Sequence, residues 1–204
     1  MSDVMAIGSW RNNAELIADM PRLGYLDERW ITLDPTYGQG KFWTKWRPTN
    51  LITSDLDPAC GVVEHNFTAL PHMDSVFDAV VFDPPYKLNG TSTGKGSSAM
   101  DASYGVAGDY LPWQAKHDLI RAGISECVRV LRPRHLLLLK CVDQVCSGDV
   151  RWQTDEFTRH AESLGCAKVD EFHIPSHRAQ PAGRRQVHAR RNYSTLLIFR
   201  KGKP

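Results

Sequence analysis

The chain has 204 residues, 42% of them hydrophobic and 24% charged, with a formal net charge of +2. That is enough apolar material for one buried core, and too little bias for a collagen-like, disordered or membrane-spanning class. Its longest strongly apolar run, Leu136 to Leu139, cannot cross a bilayer, and the opening MSDVMAIGSWRNNAEL has no basic region followed by an apolar block, so the expectation is a single domain over 1–204 in the cytoplasm.

In chain order, a helical pattern from Ala14 to about Leu23 is interrupted by Pro21. Strand-like runs follow at Trp30–Asp34, Leu51–Asp55, Val62–Phe67 and Phe77–Asp83. Several are continuous apolar runs that end in a polar residue, as in strands covered on both faces. Lys87 to Gly108 is rich in Gly, Ser and Thr and lacks periodicity, which makes it either a lid or a disordered linker; its start at the end of a central strand favours an active-site lid over 87–111. From Pro112 to Leu131, apolar residues recur at three- and four-residue steps, and Pro133 lies just beyond, which predicts a long helix. Leu136–Cys141 is the next strand. Thr154 is placed to cap a further helix that closes at Gly165. Ala167–Ile174 and Tyr193–Phe199 bring the strands to seven, and their alternation with helices predicts a doubly wound, mostly parallel α/β sheet with ligands at the carboxyl ends of its strands. Trp43 and Trp46 are expected to pack a first helix on that sheet.

Five cysteines (Cys60, Cys127, Cys141, Cys146 and Cys166) form no C-x-x-C pair and read as small core residues. His173 and His177 are four apart, but Pro175 between them bars a helix, so no metal site is expected.

The small net charge hides a polarised layout. After Glu171 there are eight basic residues and no acid; of the 25 basic residues, 17 remain in the rest of the chain against 23 acids, a balance of −6 there and +8 beyond. A basic, acid-free segment is the footprint of a phosphate-backbone binder, although a solvated tail has the same composition. Residues 175–192 (PSHRAQPAGRRQVHARRN) fall between two strand-like runs, so a basic loop is their natural place. Arg184, Arg185, Arg190 and Arg191 are its candidate nucleic-acid contacts.

Two motifs carry the chemistry. After the first strand comes Asp34-Pro35-Thr36-Tyr37-Gly38-Gln39-Gly40, whose glycines let backbone approach a ligand. A dinucleotide fingerprint would need a third glycine where Trp43 stands, so NAD is disfavoured. Asp34 could face an ammonium group, and Asp55, at the next strand's end, could accept hydrogen bonds from ribose hydroxyls, a pairing that suits S-adenosylmethionine. The bland alternative is a mere tight turn. The second motif, Asp83-Pro84-Pro85-Tyr86, closes the fourth strand. A carboxylate and a backbone carbonyl that accept the two N–H groups of an exocyclic amine would localise its lone pair toward an incoming methyl group, while Tyr86 offers a ring to an extruded base. Here the bland alternative is a proline-stiffened turn with an aromatic plug.

With both motifs in place, the sequence from about Leu23 to Lys201 resembles the S-adenosylmethionine-dependent amino-methyltransferases that act on exocyclic nitrogens of DNA bases, with relatives that act on RNA. The resemblance implies a Rossmann-like class I methyltransferase fold whose last strand is antiparallel. It implies that Asp34, Thr36, Gly38, Gly40 and Asp55 bind the cofactor, that Asn66 and Phe67 flank its adenine, and that Asp83, Pro84, Pro85 and Tyr86 form the catalytic, base-binding turn. Two departures stand out: Asn66 replaces a commoner acid, and Arg134-His135 stands where a pair of glycines is usual. An initial Asp in the tetrapeptide is commoner among adenine-N6 enzymes, which points to DNA adenine. Cytosine-N4 DNA enzymes, RNA base methyltransferases (guanine N2 or adenine N6) and a silent nucleic-acid-binding module on the same fold remain the alternatives.

Overall fold

The computed structural model describes residues 10–88, 112–176, 187–189 and 191–203. The long apolar runs form the strands at its centre. They are β1 (Ile31–Asp34), β2 (Asn50–Asp55), β3 (Val63–Glu64), β4 (Phe77–Phe82), β5 (Leu131–Cys141), β8 (Cys166–Pro175) and β9 (Tyr193–Lys201), with a small hairpin of β6 (Gln144–Cys146) and β7 (Asp149–Arg151) between β5 and β8. The seven-stranded sheet has the order β3-β2-β1-β4-β5-β9-β8. β1 pairs parallel with β2 and β4, β2 with β3, and β4 with β5, while β9 runs antiparallel to both β5 and β8. This is the expected mostly parallel, doubly wound sheet with its last strand reversed.

Side chains alternate across the strands and build two cores. Leu33, Val80, Phe82, Leu137, Leu139 and Phe199 face one side, under α2 (Trp113–Val130) and α3 (Gln153–Ser163). Ala79, Val81, Leu136, Leu138 and Ile198 face the other, where α1 (Asn13–Asp19) and a 3-10 turn at Lys41–Trp43 supply Leu16, Ile17, Phe42 and Trp43. Asn12 caps α1 by accepting from the Glu15 N–H at 3.0 Å. The helix ends at Asp19, two residues before Pro21 and short of the expected Leu23.

Three sequence expectations shift. The glycine turn is followed by one 3-10 turn and no α-helix, so Trp43 buries against the sheet without a helix to carry it. Thr154 is not the cap of α3: its N–H (2.9 Å) and hydroxyl donate to Asp143, so that carboxylate satisfies the helix start from outside. β5 begins at Leu131, immediately after α2, with an irregular register between Leu131 and Leu136. There Arg134 sits at φ +69°, the left-handed region that a glycine adopts without strain. The usual glycine pair would fit that backbone, and this chain puts an arginine in it.

Lys201 donates to the carbonyls of Val128 and Leu131, both at 2.7 Å, at the carboxyl end of α2. One of the basic residues beyond Glu171 therefore serves the fold by closing a helix end. Among the described residues no helix is long and apolar enough to cross a membrane.

Candidate active site

The glycine turn and the proline turn leave the carboxyl ends of adjacent strands β1 and β4, and one chain of hydrogen bonds joins them. The Asp83 N–H donates to Thr36 Oγ1 at 2.9 Å, and Thr36 donates to Asp34 Oδ1 through its N–H (3.0 Å) and its hydroxyl (3.4 Å). The Trp43 indole N–H reaches the other oxygen, Oδ2, at 2.7 Å. Asp34 is thus a buried anchor whose two oxygens are both engaged. Burial pushes its carboxyl up to about 7, against the Trp43 and Thr36 hydrogen bonds that hold it down.

Asp55 is buried at the end of β2 and holds the same turn from the other side. It accepts from the Gly38 N–H at 2.7 Å and from the Asp57 N–H at 2.9 Å. Gly38 has φ +54°, and a Cβ there would meet nothing within 4 Å, so the turn is open above it. Gly40 is constrained doubly: φ is +66°, and a Cβ would lie 2.5 Å from Tyr37 Oη. Asn66 is exposed and takes up its own turn, accepting from the Thr68 N–H at 2.9 Å. Phe67 is buried and packs edge-on against Phe82, with ring centroids 5.2 Å apart.

The proline turn is rigid. The Tyr86 N–H donates to the Pro84 carbonyl at 2.6 Å, a γ-turn centred on Pro85. That carbonyl keeps its second lone pair. Asp83 Oδ1 is shielded from solvent and has no hydrogen-bond partner among the described residues. A shielded carboxylate oxygen with no donor is an expensive arrangement in a folded chain. Burial raises the Asp83 carboxyl well above the usual carboxylate range; Lys140 opposes this rise, Asp34 adds to it and Lys87 opposes it.

Residues that the sequence reading did not single out hold the exit of this turn. The Tyr86 carbonyl accepts from Gln153 Nε2 at 2.8 Å and from Gln144 Nε2 at 2.9 Å. The Leu88 N–H donates to Gln144 Oε1 at 2.9 Å, and Lys116 of α2 donates to the Lys87 carbonyl at 2.6 Å. The start of the expected lid is therefore tied to α2, α3 and the hairpin. Residues 89–111 lie outside the described residues. A two-residue Ser147-Gly148 loop with both φ positive, +54° and +86°, was the available signal for the hairpin that carries Gln144.

Of the four arginines named as nucleic-acid contacts, Arg184, Arg185 and Arg190 lie outside the described residues. The Arg191 guanidinium stacks 4.2 Å from the centre of the Trp152 ring, and Arg151 lies 3.9 Å from that of Trp113. His173 contacts Thr195 Oγ1 at 3.1 Å and the Tyr193 ring; His177 is outside the described residues.

No protein-family model and no curated protein sequence matches the chain. Solved structures do. A candidate methyltransferase from Bacillus halodurans superposes with a TM-score of 0.58 at 13% identity, covering 92% of this chain and 99% of that one. The N-methyltransferase NodS from Bradyrhizobium japonicum gives 0.57 at 14% identity, over 93% and 96% of the two chains. A SAM-dependent methyltransferase from Methanosarcina mazei gives 0.53 at 12% identity, over 88% and 96%. At these identities the likeness establishes the fold, the Rossmann-like sheet of such methyltransferases.

Proposed function

We propose that this chain is an S-adenosylmethionine-dependent methyltransferase that methylates the exocyclic amine of a DNA base, adenine N6 being the favoured atom. The observation that carries the reading is Asp83 Oδ1, a solvent-shielded acceptor without a donor at the head of a proline-locked turn. The glycine turn supports it. A pyrophosphate would call for a helix N-terminus after Gly40, and only one 3-10 turn follows; a cofactor without phosphates has no such need. Gly38, Gly40, Asp34, Thr36 and Asp55 would hold it, with Asn66 and Phe67 beyond β3. When bound, S-adenosylmethionine supplies the methyl group as a carbon activated by positively charged sulfur.

The chain's own groups do the rest. The Asp83 carboxylate accepts one N–H of the amine and the free lone pair of the Pro84 carbonyl accepts the other, which turns the nitrogen lone pair outward. One N–C bond forms as the C–S bond of the donor breaks and leaves its electron pair on sulfur; the nitrogen then loses one proton, which the Asp83 carboxylate is placed to take. The fixed turn contributes orientation, and the Tyr86 ring is a stacking surface for a base whose extrusion from a duplex costs on the order of a few kcal/mol. Arg191 on Trp152, with the basic loop 175–192, supplies charge and rings for a polynucleotide.

The test is incubation of the chain with methyl-labelled S-adenosylmethionine and separate pools of duplex DNA, single-stranded DNA and RNA, followed by nucleoside analysis. Label in N6-methyladenine from DNA is expected, and Asp83→Ala abolishes it while cofactor binding persists. Label confined to RNA, label on a carbon or ring nitrogen, or full activity in Asp83→Ala would each overturn the assignment.

A further inference from the structure

Asp83 has a neighbour that the motif does not mention. Parallel pairing sets Phe82 of β4 beside Leu139 of β5, so the next residues along, Asp83 and Lys140, end up side by side. Alternation then decides which way they point. Ala79 and Val81 on β4, and Leu136 and Leu138 on β5, face the α1 side of the sheet, and Asp83 and Lys140 continue those two rows. Lys140 is 1% exposed, and its ammonium has no hydrogen-bond partner among the described residues. No ion pair joins it to Asp83 among the described residues. A half-buried carboxylate whose Oδ1 lacks a bond and a buried ammonium without one thus share this face of the sheet without forming an ion pair. An unpaired buried charge is costly, and such cost concentrates where a side chain serves a reaction.

We propose that Lys140 is a positioning residue for the amine methylation set out above: its buried positive charge keeps Asp83 in the carboxylate form that accepts the amine's N–H and later its proton. The inference rests on that reading of Asp83. The surroundings require such a charge. Burial acts most strongly on Asp83 and favours the protonated acid, and Asp34, from β1, adds to it. Lys87, just past the turn, opposes them less than Lys140 does. On the far side of Lys140, β9 contributes Leu196 and no charge, and the next residue, Cys141, is kept a neutral thiol by burial. The 3-10 turn brings the Trp43 indole to Asp34, and its one charged residue, Lys41, is exposed. Burial also lowers the Lys140 ammonium, to about 8, while Asp83 helps hold its proton, and at low effective dielectric a cation beyond ion-pair distance still biases the equilibrium.

The experiment compares wild type, Lys140→Met and Lys140→Arg. The methyl-transfer rate is followed across pH, and the carboxyl carbon of Asp83 is titrated by NMR in aspartate-labelled protein, with Asp83→Asn to assign it. In Lys140→Met the acid limb of the rate profile and the NMR midpoint move together to higher pH by about one unit or more, so the rate falls roughly tenfold below the limb and recovers above it. Lys140→Arg restores both. A rate lowered equally at all pH values, with an unmoved Asp83 midpoint, overturns the assignment and leaves Lys140 a structural residue. Absence of methyl transfer by the wild type would remove the amine-methyltransferase reading, while the NMR midpoints would still decide whether Lys140 controls Asp83.

Discussion

Gln153 offers a sharp test of how the proline turn is held. It is fully buried at the start of α3, donates to the Tyr86 carbonyl at 2.8 Å and accepts from the Val142 N–H at 3.2 Å. Gln153→Leu keeps the volume roughly constant, so the cavity contribution is small and the polar loss dominates. The Tyr86 carbonyl retains Gln144 and loses one neutral bond, about 1 kcal/mol. Val142, buried, loses the acceptor of its N–H, which costs about 1–3 kcal/mol. A total of roughly 2–4 kcal/mol corresponds to a fall of about 1–2 M in the urea midpoint at unchanged slope. The control is Gln144→Leu at the same carbonyl: it removes a matching pair of bonds, one to Tyr86 and one from the Leu88 N–H, but Gln144 is only partly buried and water can replace them, so its replacement costs about 1 kcal/mol. Equal midpoints for the two variants, or a Gln153→Leu midpoint within about 0.3 M of wild type, would refute the argument that burial sets the cost.

Three further outcomes follow from positions described above. Asp34 has its carboxyl pushed up to about 7, from an ordinary 3.8, so the native state binds the extra proton; the group's contribution is greatest below about pH 4 and is lost as pH rises to about 7, roughly 4 kcal/mol in all and about 2.5 kcal/mol of it between about pH 5 and 8, with Asp83 acting in the same direction. The lowered His72 opposes this over the acid part of that window; denaturant midpoints that rise steadily from pH 5 to 8 would exclude the assignment. At Gly123 in α2, a Cβ would come within 2.6 Å of Phe82 Cζ and 2.7 Å of Phe67 Cδ2, so Gly123→Ala should lose about 1–2 kcal/mol by crowding despite alanine's better helix propensity, and a raised melting temperature would contradict it. Arg134, at φ +69°, should tolerate glycine better than alanine, the Gly variant being the more stable by about 1 kcal/mol; calorimetry that ranks them the other way would show that the backbone relaxes.

The sheet was legible because its central strands carry the pattern almost alone: Ala79–Phe82 and Leu136–Leu139 are apolar on both faces, which only strands covered on both sides sustain. Where burial is one-sided or slight the reading loosened. The expected strand Val62–Phe67 shrinks to Val63–Glu64, both exposed, and the helix expected after the glycine turn is a single 3-10 turn. The turn motifs themselves announce Asp34, Asp55 and Asp83 by local spacing. Gln144 and Gln153 carry no such signal, because they meet Tyr86 across 58 and 67 residues of chain. Lys140 reads locally as the polar end of an apolar run; its meaning lies in the strand paired beside it.

The placement of β9 has a consequence for how the molecule is made. β8 touches the sheet only through β9, which follows it in the chain. During synthesis, β1 to β5 can therefore associate while the four-leucine run of β5 presents an open edge, and β8 must wait without a partner until residues 193–201 are available. Loop closure for the last two of the seven strands is thus postponed, and the interval is the one in which edge-to-edge association with another chain competes with folding. Truncations that remove β9 should yield insoluble protein and not a smaller folded unit, and delivery of that strand is the step at which chaperone capture would matter most.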